Sequence, residues 1–140
     1  MQINRVLMVD DDPSIRKIAE ICLSRVGKWQ VGLADCGARA LEMSVTFQPD
    51  VILLDVMMPG MDGPTTIKQL QNNTLTALIP VIFMTAKVQS HEIEKYSKMG
   101  AAGVISKPFD PMTLPSEIIE ILNRQMTVER FETAVYNKAH

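Results

Sequence analysis

Short, continuously apolar runs alternate along the chain with stretches whose apolar residues recur at helical spacing. Val6-Leu7-Met8-Val9, Val51-Ile52-Leu53-Leu54, Val81-Ile82-Phe83-Met84 and the shorter Val104-Ile105 present no polar face. Such runs predict interior strands of a parallel sheet covered on both sides. Trp29 to Ala34 is less uniformly apolar and predicts an edge strand with one face partly wet. Ile15, Ile18, Ala19, Cys22, Leu23 and Val26 fall on one helical stripe opposite Arg16, Lys17, Glu20 and Ser24. That helix starts near Asp12, with Pro13 in its first turn and Gly27 at its stop. Ala38, Leu41 and Val45 predict a second helix ending before Pro49, and Ile67 and Leu70 a third after Gly63-Pro64. Ile93 and Tyr96 mark a mostly polar fourth helix ending at Gly100, whose thin apolar stripe predicts loose attachment. Leu114, Ile118, Ile121 and Leu122 form the fifth. Strand and helix alternate five times, which predicts an α/β fold with a parallel sheet and right-handed crossovers. In an open sheet of this kind, ligands sit outside the carboxyl ends of the strands at the topological switch point.

Composition narrows the class. The 140 residues suit one domain and bury roughly two-thirds of the unfolded chain's surface, and 46% hydrophobic against 21% charged residues excludes an intrinsically disordered chain. No stretch approaches the ~20 apolar residues of a membrane span, and the opening MQINRVLMVDDD lacks a signal-peptide pattern. Cys22 and Cys36 show no CxxC spacing, in keeping with a reducing compartment. The expectation is a cytoplasmic protein that does not engage membranes. With 14 basic and 16 acidic side chains there is no cationic excess to drive direct nucleic-acid binding by this domain.

The strand ends hold the chemistry. Asp10, Asp11 and Asp12 follow the first apolar run, Asp55 the third, Thr85 the fourth and Lys107 the fifth. Parallel strands bring these groups to one edge of the sheet. Carboxylates held a few ångströms apart resist ionising together unless a cation neutralises them, and a hard ion such as Mg²⁺ suits that cluster. An acidic nucleophile, metal ligands, a hydroxyl donor and an ammonium are what phosphoryl transfer to a carboxylate needs. Each group alone has a plainer explanation: Asp12, before Pro13, fits a helix cap, and Thr85 fits one equally well. Lys107 alone reads as a solvated charge. Their joint occurrence is what points to a site. His91 and His140 read as surface residues, and the ten methionines follow the apolar pattern as core filler.

Four segments in order, VLMVDDDPSIR, VILLDVMMPGMDG, MTAK and SKPF, resemble the receiver domain of two-component response regulators across about residues 4 to 124. The resemblance implies a (βα)5 doubly wound, flavodoxin-like sheet with strand order 2-1-3-4-5. It implies that Asp55 is the phosphoacceptor, taking its phosphoryl group from a sensor histidine kinase or a histidine phosphotransfer protein. Asp10, Asp11 and Asp55, with the Met57 backbone carbonyl, would bind Mg²⁺. Thr85 would hydrogen-bond one phosphoryl oxygen and Lys107 would pair with another. Ala86 would keep the phosphate accessible, and Pro108 would follow a cis bond. The implied chemistry is that of a switch with slow self-dephosphorylation rather than of a turnover enzyme.

Three positions depart from or tune the pattern. Val104 stands three residues before Lys107, where the family usually has an aromatic, so switching is expected to use something other than a ring. The resemblance implies that Met57 and Lys87 flank the approach of hydrolytic water. Residues 1–124 are read as the receiver domain and 125–140 as a helical extension or the start of a linker. Val128, Phe131 and Val135 share one helical stripe there. That segment could pack, bind a partner or lead to a missing output domain. The enzyme-class rival is an aspartate-nucleophile, Mg²⁺-dependent phosphohydrolase, for which Asp10-Asp11-Asp12 is a weak match and MMPGMDG and SKPF go unexplained. A flavodoxin-like cofactor binder lacks its hydroxyl- and glycine-rich loop.

Overall fold

The computed structural model describes residues 2–86 and 88–125. The stripe Val128, Phe131 and Val135, and also Lys87 and His140, lie outside the described residues. The strands are β1 (Arg5–Val9), β2 (Gln30–Ala34), β3 (Val51–Asp55), β4 (Val81–Thr85) and β5 (Gly103–Ser106). The helices between them are α1 (Pro13–Arg25), α2 (Gly37–Thr46), α3 (Gly63–Gln71) and α4 (Ser90–Lys98), and a fifth, α5, covers 114–125. All strand pairs are parallel, and the sheet order is β2-β1-β3-β4-β5.

The two-residue period of each strand divides the core. Val6, Met8, Val51, Leu53, Ile82, Met84 and Ile105 face α1 and α5 and pack on Ala19, Cys22, Leu23, Leu114 and Ile118. Leu7, Val9, Ile52, Leu54, Val81 and Phe83 face α2, α3 and α4 and pack on Ala40, Ile67, Leu70 and Tyr96. Because helices cover both faces, β3 and β4 are buried along their whole length. That is why they read as unbroken apolar runs. Each such side chain contributes about 1.5–3 kcal/mol of burial free energy.

Helix ends are set locally. Asp12 caps α1 by accepting the Ser14 amide at 2.8 Å, with Pro13 at the first position. Asp62 caps α3 through the Thr65 amide at 2.8 Å. Asp50 fixes the entry to the first strand, its carboxylate accepting the Asn4 and Arg5 amides at 2.8 and 2.9 Å.

Three expectations need correction. Val104-Ile105 is not an interior strand: β5 is the outer strand beside β4, and only Ile105 in it is buried. On α1, Ile18 and Val26 point outward, and Ala19, Cys22 and Leu23 alone are buried. On α4, Ile93 is 42% exposed, whereas Tyr96 is 4% exposed. The inward stripe is Glu92, Tyr96 and Met99, with a carboxylate standing where an apolar residue was expected. The edge strand expected at Trp29 to Ala34 is present as β2, and Cys22 and Cys36 are free thiols.

Candidate functional site

Val9 pairs with Leu54 where β1 and β3 run side by side, so Asp10, just past β1, and Asp55, ending β3, emerge together. On the other side of β3, Thr85 ends β4 opposite Ser106, and Lys107 follows. Lys107 is tied there by its amide, which donates to the Thr85 carbonyl at 2.9 Å, and its bond to Pro108 is cis. The Val56 amide donates to the Met84 carbonyl at 3.1 Å, and the Gly63 amide to the Val56 carbonyl at 2.9 Å. These bonds carry the sheet ladder beyond β3 and dock the start of α3 against the loop after Asp55.

The charged groups converge tightly. Lys107 Nζ lies 3.0 Å from Asp10 Oδ2 and 3.3 Å from Asp55 Oδ1. The other Asp10 oxygen accepts the Asp12 amide at 2.9 Å, and the Asp10 carbonyl accepts the Arg16 guanidinium at 2.8 Å. Asp55 Oδ1 also accepts the Met57 amide at 3.3 Å. Asp10 and Asp55 are buried, and Asp11 is exposed at the mouth. Burial pushes the Asp55 carboxyl up, and the Asp10 carboxylate adds to it. Lys107 and the Met57 amide oppose, leaving the group at about 6. Burial pulls the Lys107 ammonium down, but its contacts with Asp10 and Asp55 outweigh this and hold it above its ordinary value.

One carboxylate oxygen from each of Asp10, Asp11 and Asp55 lies within 4.8 Å of the others. Lys107 cannot balance three carboxylates by itself, and an all-oxygen donor set with one open, exposed member fits Mg²⁺. Of the residues singled out from the sequence, Asp10, Asp11, Asp55, Lys107 and the Met57 amide gather here and Thr85 ends the neighbouring strand, while Asp12 is spent as the cap. Met57 enters with its amide, while its side chain is 75% exposed.

A further residue was not anticipated. The buried ring of Tyr96 meets Phe83 edge-to-face, with centroids 5.0 Å apart and planes at 63°. Phe83 precedes Thr85 by two positions on β4, so both side chains share the face that α4 covers. Burial, with the Glu92 carboxylate adding to it, pushes the Tyr96 hydroxyl above its ordinary value, and the Thr85 side chain opposes this. The sequence signal was a lone aromatic in an otherwise polar helix. Only the rotation of α4 about its axis decides what that aromatic touches.

A model of the response regulator receiver domain family matches residues 6–119. The DNA-binding dual master transcriptional regulator RpaA of Synechocystis sp. is 35% identical over 120 residues, which cover 86% of this chain and 49% of RpaA. The alkaline phosphatase synthesis transcriptional regulatory protein PhoP of Bacillus subtilis is also 35% identical over 120 residues, with the same coverage. The chain thus spans about half the length of these curated relatives. Among solved structures, the chemotaxis response regulator CheY4 of Vibrio cholerae superposes with a TM-score of 0.79 at 30% identity, over 86% of this chain and 99% of CheY4. Among the described residues no helix is long and apolar enough to cross a membrane.

Proposed function

Because the chain belongs to the response regulator receiver domain family, we propose that it is a signalling switch whose phosphoacceptor is Asp55. The donor is the phosphohistidine of a sensor histidine kinase or a histidine phosphotransfer protein. An Asp55 oxygen attacks phosphorus, the P–N bond to the donor breaks, and an acyl phosphate forms. Asp10, Asp11, Asp55 and the Met57 carbonyl are the Mg²⁺ ligands in this reading, and the bound ion supplies positive charge against the phosphoryl oxygens. Lys107 pairs with one of those oxygens, and the Thr85 hydroxyl donates to another. Ala86 is small and exposed beside Thr85, which leaves the approach to Asp55 open. Residues 1–124 constitute the receiver in this reading, with 125–140 as an extension or the start of a linker. The protein acts in the cytoplasm as a phosphorylated switch with only slow self-dephosphorylation.

The observation that carries this is the Lys107 ammonium lodged between Asp10 and Asp55 at 3.0 and 3.3 Å, with Asp11 closing the carboxylate cluster. Incubation with acetyl phosphate and Mg²⁺, followed by intact mass, is the test. One phosphoryl group should be gained, lost with EDTA and absent in Asp55→Asn. Labelling that survives Asp55→Asn overturns the assignment. Rapid turnover of a generic phosphomonoester would favour a phosphohydrolase instead.

A further inference from the structure

The loop after β1 carries two of the three clustered carboxylates, and the two are held differently. Asp10 is fixed at four atoms. Its amide donates to the Ala34 carbonyl at 3.1 Å, and its Oδ1 accepts the Asp12 amide at 2.9 Å. Its Oδ2 accepts Lys107 Nζ at 3.0 Å, and its carbonyl oxygen accepts Arg16 Nη1 at 2.8 Å. Asp11 is exposed, and among the described residues no hydrogen bond or ion pair holds its carboxylate. Its place in the cluster is therefore set by its backbone. The Asp10 carbonyl shares one peptide plane with the Asp11 amide and Cα. Whatever fixes that oxygen fixes the direction in which the Asp11 side chain leaves the loop.

Arg16 does so. Its position on the polar stripe of α1 suggests a solvated charge, yet it is half-buried and reaches back to the loop. Its amide donates to the Asp12 carbonyl at 3.1 Å in the first turn of α1, and that turn is anchored by the Asp12 cap and Pro13. The guanidinium thus reaches the Asp10 carbonyl from a fixed helix. Among the described residues it forms no ion pair, although three aspartates lie four to six positions before it. It takes the carbonyl and leaves the carboxylate oxygens for a cation, whereas Lys107 competes for them.

We infer that Arg16 is a positioning residue for the metal ligands, locking the Asp10–Asp11 peptide so that Asp11 stands in place before the ion arrives. This rests on the proposal that Asp10, Asp11 and Asp55 hold Mg²⁺. The sign of the effect separates positioning from charge. A cation beside a cation site repels the ion, so by charge alone removing Arg16 should tighten binding. By positioning, removing it should weaken binding, because a ligand that must be ordered on binding costs affinity. Mg²⁺ demands near-ideal octahedral geometry and Ca²⁺ tolerates a flexible one, so the loss should fall more heavily on Mg²⁺.

Calorimetric titration of the full chain with Mg²⁺ and with Ca²⁺ is the test. Arg16→Met keeps a long side chain of good helix propensity and removes the charge and the donors. Mg²⁺ should bind it about tenfold more weakly, the size of a lost outer-shell support. Ca²⁺ should lose less than about threefold, given its tolerance of irregular geometry. Arg16→Lys keeps the charge and a donor and should bind Mg²⁺ more tightly than Arg16→Met, the reverse of the order that charge alone sets. In the metal-free protein, hydrogen exchange at the Asp12 amide should be faster in Arg16→Met than in the wild type. If Arg16→Met does not fold, Arg16→Gln takes its place with the same expected order. Mg²⁺ affinity that is unchanged or higher, or equal losses for Mg²⁺ and Ca²⁺, overturns the positioning role alone, provided Asp11→Asn still weakens Mg²⁺. A wild type that binds no Mg²⁺, or binds it no better than Asp11→Asn, overturns the metal assignment and the positioning with it. Failure of acetyl phosphate to label Asp55 overturns the phosphoacceptor assignment, and the Mg²⁺ comparison is read independently of it.

Discussion

Asp55 holds its carboxyl where burial and the neighbouring Asp10 carboxylate both disfavour charge, and the group is pushed up to about 6. It binds its proton more tightly in the folded chain than in the unfolded one. Its contribution to stability is therefore fully present below the ordinary value of 3.8 and is lost as the pH rises through about 6. In the presence of chelator, Asp55→Asn should be more stable than the wild type by about 1–3 kcal/mol near pH ~7.5. That gap should close in acid, as read from urea midpoints at the two pH values. A variant less stable than wild type at neutral pH would show that the Lys107 pair outweighs desolvation. The neighbouring residues divide the work by chemistry. Carboxylate oxygens hold a hard cation, whereas the ammonium competes with it for Asp10 and Asp55. Calorimetry should find Mg²⁺ binding about tenfold weaker in Asp11→Asn, a loss of about 1.4 kcal/mol. In Lys107→Ala it should be unchanged or tighter. Equal losses in both variants would contradict this division.

At the scale of elements, the site depends on how closely α3 approaches the end of β3. A Cβ built on Gly63, the first residue of α3, would lie 2.8 Å from the Asp55 carbonyl oxygen and 2.8 Å from Val56 Cα. Both neighbours are backbone, so neither can rotate away. Gly63→Ala should cost about 1–3 kcal/mol of stability by overpacking. Because the displaced segment carries Asp55 and the Met57 amide, acetyl phosphate labelling should slow as well. Thermal melts together with labelling rates check this, and a neutral substitution would mean that α3 shifts as a body without disturbing the loop. The same scale explains α4. Tyr96, packed on Phe83, is its one buried residue, and the rest of the helix is half-buried or exposed.

For the whole molecule, the order β2-β1-β3-β4-β5 places the reversal of strand order, the topological switch point, between β1 and β3. That junction is where Asp10 and Asp55 stand, and the site is built from residues up to 97 positions apart in sequence. Binding there is linked to global folding, because an unfolded chain has no such cluster. Mg²⁺ at about 100 times its dissociation constant should stabilise the wild type by about 2.7 kcal/mol. Asp11→Asn should show a smaller stabilisation at the same concentration. Urea unfolding at several Mg²⁺ concentrations measures this, and a midpoint insensitive to Mg²⁺ would place the metal elsewhere.

The central strands were legible in the sequence because full burial on both faces removes polar residues from β1, β3 and β4 alike. The site residues were legible because each of Asp10, Asp55, Thr85 and Lys107 stands at or just past the end of such a run, and parallel strands bring their ends together. The cap at Asp12 was equally local, a short polar side chain ahead of Pro13. Two apolar residues, Val104 and Ile105, carry too little pattern to tell an interior strand from an outer one, and only the strand order implied by the resemblance put β5 at the edge, where the pairing places it. Helical stripes locate a face only to within about one residue. Ile18 and Ile93 consequently looked inward from the sequence, although packing turned them out. The packing of Tyr96 on Phe83 sets the rotation of α4. Spacing along a helix cannot supply that contact, because it joins two elements whose relative rotation is decided only when their side chains interlock.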